Sequence, residues 1–268
     1  MALDTRAGTQ AARQFVLEHH YASAWVAATQ CYGLIDHSPD LDDYPDPHPS
    51  ALTAAGRLVG VAVLSVPQHV AVLSKPFPDL IPYTEAIDLG RFVLLDPVAA
   101  NGESWFLARV FRHARRRGVR GVVAFADPVP RRRADGTLIL PGHVGWAYQG
   151  HNATYLGRST PSRQIQLPDG TSLPGRAVSK LVGNEPGAGG VALRLRQAGA
   201  PEPARDEPPA AWLQRALHSV GATTIRHPGK HKYAWRLDRS PASQLAQPAQ
   251  PYPKSIDPRP SATTGAPR

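Results

Sequence analysis

A short loop between two apolar segments has residue types that suit a bound phosphate group. Asn101, Gly102, Glu103 and Ser104 stand between LLDPVAA and WFLARVF. If a helix begins here, its first N–H groups and its partial positive charge favour an anion, although the Glu103 carboxylate opposes one. The chain has neither the GxxxxGK[ST] nor the GxGxxG pattern of phosphate-binding loops. The loop is therefore either a phosphate cradle or an ordinary capped helix start.

A carboxylate at the end of an apolar segment is the second candidate for chemistry. Asp127 follows VRGVVAFA, a pattern that predicts a buried strand. From the end of such a strand, the carboxylate can enter a cleft and act as a general base or as a metal ligand. The alternative is that Asp127 only shapes the turn before Pro128.

Three strands and one helix must position these residues. GRLVGVAVLSVP, AIDLGRFVLLDP and VRGVVAFADP have the apolar runs of strands. Between the last two, residues 102–117 place apolar side chains at helical spacing, which predicts one buried stripe: Phe106, Leu107, Val110, Phe111 and Ala114. Asn101 suits the N-cap and Gly118 the C-terminal stop. Strand, loop, helix and strand in this order indicate a βαβ-like unit of an α/β or α+β domain.

Composition along the chain predicts one domain with two irregular segments. Residues 10–182 and 211–238 form the predicted domain. Residues 183–210 are rich in proline and glycine, and we expect a loop or an insertion there. Residues 239–268 contain many prolines and few branched apolar residues, so we expect a disordered C-terminal tail.

The overall composition limits the compartment and the class of partner. The chain has 268 residues, a formal net charge of +9 and one cysteine, Cys31. A single cysteine excludes an internal disulfide and a cysteine-rich zinc site, and a reducing cytoplasm is the expected compartment. Neither a secretion signal nor a run of about 18 apolar residues is present, so no membrane partner is expected. The basic balance favours a polyanion, above all nucleic acid.

Five short motifs follow one another along the chain in an order that carries a family resemblance. They are EHHY (18–21), LGRFVLLDPVAANGES (89–104), FADP (125–128), GHVGWAYQ (142–149) with YLGR (155–158), and HPGKHKYAW (227–235). Together they resemble the Mom family of phage DNA-modification proteins, which are divergent members of the GNAT acyltransferase superfamily. The resemblance covers about residues 14–160 and 225–237. It implies a GNAT-like α/β fold, in which a mixed central sheet is flanked by helices.

The resemblance also implies an activity. Mom-like proteins convert adenine in duplex DNA to an N6-modified base carrying a methylcarbamoyl-type group, which protects phage DNA from restriction. The implied cofactor is acetyl-CoA, with iron as a further candidate. The implied partner is double-stranded DNA in the cytoplasm of a bacterial host. Two alternatives stay open: an ordinary GNAT N-acetyltransferase that acts on an amine or a protein, and a non-catalytic DNA-binding protein on the same scaffold.

Carried over motif by motif, the resemblance assigns the residues of the site. The expected catalytic residues, which are also the candidate iron ligands, are His20, Tyr21, Asp127 and Tyr148. The expected cofactor-binding residues are Leu94, Asn101, Gly102 and Ser104. The expected DNA-binding residues are Arg131, Arg132, Arg133, His143, Lys230 and Lys232.

Two features of the segment around Asp127 separate this chain from its relatives. Relatives commonly have a serine and a tyrosine where this chain has Ala124 and Phe125, which puts the mechanism in question. They also run more directly from Ala-Asp-Pro to Gly-His, whereas this chain carries an insertion with Arg131 to Arg133. These arginines either clamp phosphates beside an extruded base or form a solvated turn.

Overall fold

The chain forms two compact units in the computed structural model. The structure describes residues 3, 5–22, 24–38, 52–53, 56–173, 175–186 and 188–255. Unit 1 comprises Met1–Ala126, Val144–Gly157 and His231–Lys254, and unit 2 is built from Asp127–His143 and Arg158–Lys230. The predicted domain, residues 10–182 and 211–238, includes parts of both units.

The helices and strands follow one another in this order. They are α1 (Arg6–His19), β1 (Ala28–Asp36), β2 (Leu52–Thr53), β3 (Gly56–Ser65), α2 (Ala71–Ser74), β4 (Ala86–Leu94), α3 (Gly102–Arg116), β5 (Gly121–Ala126), β6 (Arg131–Arg132), β7 (Leu138–Leu140), α4 (Trp146–Gly150), β8 (Thr154–Arg158), β9 (Ser162–Gln166), β10 (Ser172–Leu173), α5 (Gly175–Val182), α6 (Gly189–Gln197), α7 (Pro209–Ser219), β11 (Thr223–His227) and β12 (His231–Arg236). The three strands and the helix that we predicted from the sequence are β3, β4, β5 and α3.

Unit 1 contains a mixed central sheet in the order β1-β3-β4-β5-β12-β8, with β2 paired to β3. The β1, β3 and β4 strands are antiparallel neighbours, and so are β5 and β12. The β4 and β5 strands are parallel, as a βαβ crossover through α3 requires. Helices α1 and α3 pack against the sheet through separate apolar clusters. The predicted mixed sheet flanked by helices is confirmed.

The packing of α3 follows from its sequence. All five residues of the predicted apolar stripe are buried: Phe106, Leu107, Val110, Phe111 and Ala114. Their spacing places them on one side of the helix, where they join the central cluster with Ile87 and Val122 of the sheet. Gly118 adopts φ +92° just after the helix, a conformation that suits a glycine stop. The helix start therefore has a fixed position relative to the end of β4.

Unit 2 has its own sheet and its own apolar core. Strands β10, β9 and β11 form a three-stranded sheet, and β6 and β7 form a hairpin. Helices α5, α6 and α7 pack around a cluster that includes Leu181, Val191, Leu195, Trp212 and Leu213. The segment 183–210, which we predicted as a loop, therefore contains a core helix. The prediction missed α6 because only Val191 and Leu195 mark its buried side, and glycines surround it.

Much of the predicted disordered tail is ordered. Residues 239–254 are part of unit 1 and have mostly irregular structure, with a short 3₁₀ helix at Pro241–Ser243. Gln250 donates its N–H to the Tyr155 carbonyl at 2.9 Å, and the Tyr252 hydroxyl donates to the Ala153 carbonyl at 2.7 Å. Prolines preset an extended backbone, so a proline-rich segment can dock with few hydrogen bonds. The rest of the predicted tail, residues 256–268, lies outside the described residues.

None of the described helices combines the length and the apolar character that crossing a membrane requires.

Candidate active site

The parallel strands β4 and β5 separate partway along their length. They pair from Ala86 and Gly121 to Asp88 and Val123, and the pairing ends there although both strands continue. The opposite edge of β5 stays paired with β12 as far as Ala126. Beyond Asp88, the facing edges of β4 and β5 thus present backbone groups that are not used in this ladder. A ligand with amide groups can hydrogen-bond to such edges.

A bulge in β4 lies next to the separation point. Leu89 pairs with Leu64 and Arg91 with Val63, so Gly90 is an extra residue on β4. A side chain at Gly90 would overlap the Ser65 hydroxyl, which explains why glycine occupies the position. Bulges increase local strand twist and are frequent beside active sites. The bulge therefore contributes to opening the sheet at this point.

The loop after β4 leads into α3 through a tight turn. The Gly102 N–H donates to the Ala99 carbonyl at 2.7 Å, and a Cβ on Gly102 would overlap the Val98 side chain. Asn101 is the N-cap residue, but its side chain makes no capping hydrogen bond. Within the described residues, the N–H groups of Glu103 and Ser104 have no hydrogen-bond acceptor. Two donors at a positive helix end are therefore available to an anion.

Leu94 and Ser104, two of the predicted cofactor-binding residues, each have a contact within the protein. Leu94 ends β4 and packs against the apolar core beneath the loop, so it supports the turn from below. The Ser104 hydroxyl donates to the Asn101 carbonyl at 3.1 Å, within the first turn of α3. The backbone of this turn, rather than these two side chains, offers the free donors.

Tyr148 of α4 is a buried tyrosine with an unused hydroxyl. Its ring packs edge-on against Tyr233 at 5.5 Å and Trp235 at 5.4 Å, and 7% of the residue is exposed. Among the described residues the hydroxyl has no hydrogen-bond partner, and it is not one of the fully buried polar atoms that lack a partner, so the hydroxyl retains access to solvent. Burial raises the pKa of Tyr148 far above its usual value. The hydroxyl therefore keeps its proton and can act as a donor.

Three further polar side chains of unit 1 interact electrostatically with Tyr148. Tyr21, Asp88 and Glu103 all interact with its hydroxyl in the sense that raises its pKa. Asp88 lies at the last β4–β5 pair, and its Oδ2 accepts a hydrogen bond from Ser65 at 3.3 Å. Asp88 is not among the predicted site residues. The available signal was a carboxylate within the otherwise apolar segment AIDLGRF.

His20 and Tyr21 form the turn that ends α1. His20 is buried, and its Nδ1 accepts a hydrogen bond from the Ala22 N–H at 3.1 Å. The two rings lie 4.2 Å apart. Tyr21 thus reaches the surroundings of Tyr148, whereas one nitrogen of His20 is used to hold the turn.

Asp127 lies in unit 2 and is fully buried, with both carboxylate oxygens occupied. Oδ1 contacts His227 Nε2 at 2.9 Å and accepts from the Val129 N–H at 3.1 Å. Oδ2 accepts from Arg131 at 2.8 Å and lies 3.8 Å from the Lys230 ammonium. Burial would raise the pKa of Asp127, but His227 and the two cations hold it well below its usual value. The carboxylate stays ionised and is already paired, which does not suit a general base.

His227 is equally committed. Its Nδ1 accepts a hydrogen bond from the Gly229 N–H at 3.1 Å, so Nε2 carries the proton that points to Asp127. Both ring nitrogens are therefore used within unit 2. The Asp127–His227 pair resembles a catalytic dyad in composition, but its hydrogen-bonding atoms already have partners within the protein.

The surroundings of Asp127 do not suit a metal ion. Asp127, the carboxylate of the predicted iron-ligand set, has Arg131 and Lys230 beside it, which repel a cation. No group of three histidine, cysteine, aspartate or glutamate side chains that could hold a metal ion occurs in the described part of the chain. Iron binding through His20, Tyr21 and Tyr148 stays a prediction.

The three inserted arginines have different environments. The Arg131 side chain is 14% exposed and turns inward to Asp127. Arg132 is exposed and donates to the Gly136 carbonyl at 2.9 Å within its own hairpin. Arg133 is exposed as well. Arg132 and Arg133 are therefore the exposed members of the predicted phosphate clamp, which stays a prediction.

The other predicted DNA contacts are also largely engaged. The His143 N–H donates to the Asp127 carbonyl at 2.8 Å, and burial lowers the pKa of its imidazole. Lys230 keeps 40% of its side chain exposed beside Asp127. Lys232 belongs to unit 1, where it donates to Gln247 at 3.1 Å and burial lowers its pKa to about 8. Lys232 is therefore a core residue of unit 1 and not an exposed phosphate contact.

Comparisons with known proteins place the chain in one family. The sequence model of the Mom protein family matches residues 5–254. No curated protein matches the chain. Among solved structures, the chain is similar to a tandem GNAT protein from the clavulanic acid biosynthesis pathway, solved without AcCoA, at 12% identity, a TM-score of 0.34, and 70% and 82% coverage of this chain and that chain. The structural similarity is too distant to carry an argument about activity. Since the family match spans nearly the whole sequence, the chain belongs to the Mom protein family.

Proposed function

We propose that the protein uses acetyl-CoA to modify the N6 position of adenine in double-stranded DNA, giving the methylcarbamoyl-type adduct that the Mom resemblance implies. Membership in the Mom family supports DNA modification. The observation that carries the proposal is the hydroxyl of Tyr148, a buried residue: the hydroxyl has no hydrogen-bond partner among the described residues, and it interacts electrostatically with Asp88, where β4 and β5 separate. The setting is the cytoplasm of a bacterial host, where phage DNA meets restriction enzymes.

The residues around the opening fit coenzyme A. The free N–H groups of Glu103 and Ser104, with the tight turn at Gly102, suit its pyrophosphate. The unpaired edges of β4 and β5 beyond Asp88 suit its amide-containing arm. When bound, acetyl-CoA supplies an activated acyl group. Glu103 is the one unfavourable charge, and burial raises the pKa of its carboxyl, which weakens its opposition to the phosphates.

Two side chains have the chemistry for the proton transfers. Tyr148 holds a proton at its hydroxyl oxygen and can donate a hydrogen bond to an atom of the bound acyl donor on which negative charge develops. The exocyclic amine of adenine is a poor nucleophile and needs a base. Asp88, at the separation point of the strands, is the carboxylate that we assign to this role. Asp127 is a positioning residue in this scheme, because its oxygens are already paired.

The proposed substrate requires a change in the DNA. An adenine inside a duplex hides its N6 edge, so the base must leave the stack at a cost of a few kcal/mol. Contacts to the DNA backbone repay that cost without reading sequence. The net charge of +9 supports such contacts.

The proposal is tested by nucleoside mass spectrometry of DNA from cells that express the protein. The wild type should convert a fraction of deoxyadenosine to a heavier nucleoside. Tyr148→Phe should lower that fraction by about 100-fold or more, since general acid catalysis is worth about 10²–10⁴. Tyr252→Phe, which changes a tyrosine of the C-terminal segment, is the matched control and should retain activity.

Two outcomes would contradict the proposal. If the purified protein acetylates amines or proteins while deoxyadenosine stays unaltered, the protein is an ordinary acetyltransferase. If it binds duplex DNA but no nucleoside or amine is modified with acetyl-CoA present, it is a non-catalytic DNA-binding protein.

A further inference from the structure

Two arginines of unit 2 face each other across neighbouring strands. In the antiparallel pair β9 and β11, Arg163 lies directly opposite Arg226. Both residues are exposed. Directly opposite side chains in such a pair have Cβ atoms about 4.5–5.5 Å apart, and like charges at that distance destabilise the sheet. The pair therefore costs stability unless an anion offsets it.

No acidic group offsets this charge within the described residues. Neither Arg163 nor Arg226 forms a salt bridge or a side-chain hydrogen bond with a described residue, whereas helical arginines of the same unit do. Those ion pairs are Arg176 with Glu185, Arg196 with Glu202, and Arg215 with Glu207. Glu185, Glu202 and Glu207 thus pair with helical arginines of unit 2, and no described carboxylate pairs with Arg163 or Arg226.

The strand that carries Arg163 packs against the core of unit 2. Alternate residues of a strand share a face, so Arg163 lies on the face of Ile165, which packs against the helical core of unit 2. Arg226 lies on the same face because its partner in the ladder is Arg163. The backbone ladder sets the spacing of the two side chains. An anion that binds here meets two arginines whose backbone positions the ladder fixes side by side.

We propose that Arg163 and Arg226 form a phosphate-binding site that holds the DNA backbone during adenine modification. Two guanidinium groups can hydrogen-bond one or two phosphates in bidentate fashion, and the phosphate charge turns their repulsion into attraction. Such contacts position a duplex without reading its sequence. The inference rests on the proposed function for the identity of the polyanion, and it assigns the backbone contact to residues outside the predicted set Arg131 to Arg133.

The first test compares duplex affinity over a range of salt concentrations. The variant Arg163→Gln/Arg226→Gln should reduce the slope of log K against log salt by about 1.8, since each lost phosphate contact removes about 0.9. The matched control, Arg194→Gln/Arg205→Gln, removes the same charge from the helical region of unit 2 and should leave the slope near the wild-type value. A wild-type slope in the first variant, or an equal loss in both, would overturn the inference.

The second test uses the free protein and inorganic phosphate. Arg163→Gln alone should raise the melting temperature by about 1–3 °C, because it relieves the cross-strand repulsion. Added phosphate should stabilise the wild type more than this variant. If the variant melts at or below the wild-type temperature and phosphate stabilises both equally, the two arginines are ordinary surface residues.

The two tests separate this inference from the proposed function. If the arginine pair controls duplex affinity but no adenine is modified, the binding site stands and the proposed reaction fails. If adenine is modified and the arginine variant keeps the wild-type slope, the proposed reaction stands and the binding site fails.

Discussion

Replacing Asp127 by asparagine tests whether this residue holds the structure or performs the chemistry. The substitution keeps the size of the side chain and removes its charge, which leaves Arg131 and Lys230 without their anion. Removing one partner of a buried ion pair costs about 3–5 kcal/mol. Arg131 and Lys230 are 14% and 40% exposed, so water screens part of that loss. We expect the free energy of unfolding to fall by about 2–4 kcal/mol.

Urea unfolding, followed by circular dichroism and tryptophan fluorescence, measures this change. With a slope of about 1–3 kcal/mol/M, the midpoint of Asp127→Asn should fall by about 1 M or more. The control is Asp206→Asn, the same change at an exposed carboxylate of unit 2, with an expected effect under about 0.5 kcal/mol. If Asp127→Asn unfolds at the wild-type urea concentration and yet abolishes adenine modification, Asp127 is a catalytic base and our assignment is wrong.

Three further perturbations have defined outcomes. Because the pKa of Asp127 is lower in the folded protein than its unfolded value of about 3.9, the stability that it contributes should be fully present above about pH 4 and lost as the pH falls further, which urea unfolding between pH 2 and pH 7 measures. Leu195→Ala, in the fully buried part of α6, should cost about 2–5 kcal/mol in thermal unfolding, whereas Leu193→Ala on the exposed side should cost under about 1 kcal/mol; equal effects would mean that α6 is not a core helix. Gly102→Ala should raise the KM for acetyl-CoA in a nucleoside assay by about tenfold, because the new methyl group overlaps the turn before α3, and Gly190→Ala, where space is open, should not.

Local periodicity explains why the central elements could be predicted from the sequence. The strands β3, β4 and β5 are apolar runs, and α3 repeats its apolar residues at helical spacing. These signals depend only on neighbours along the chain. They fixed the position of the loop at Asn101 and the end of β5 before Asp127.

The state of Asp127 could not be predicted in the same way. Its partner His227 is 100 residues away in the sequence, and only the fold brings the two side chains into contact. The motif that contains Asp127 predicts that the residue matters, but it does not predict whether the carboxylate is free or paired. Asp88 was missed for the opposite reason, since it stands within a strand and belongs to no polar motif.

The arginine pair depends on strand register, which a single sequence specifies weakly. Arg163 and Arg226 are separated by three helices, and each looks like an ordinary surface residue in its own segment. A shift of one residue between β9 and β11 would place Arg163 beside a different residue and on the other face. Only the observed register makes them neighbours.

The course of the chain through unit 1 has a consequence for how such a protein can change. The chain leaves unit 1 after Ala126 and after Gly157, and it returns at Val144 and His231. Ala126 and His231 are paired in the β5–β12 ladder, so the point where the chain first leaves unit 1 lies beside the point where it last returns. The entropy of closing such an excursion grows only slowly with its length. Insertions and deletions between these points can therefore accumulate without shifting the register of the central sheet.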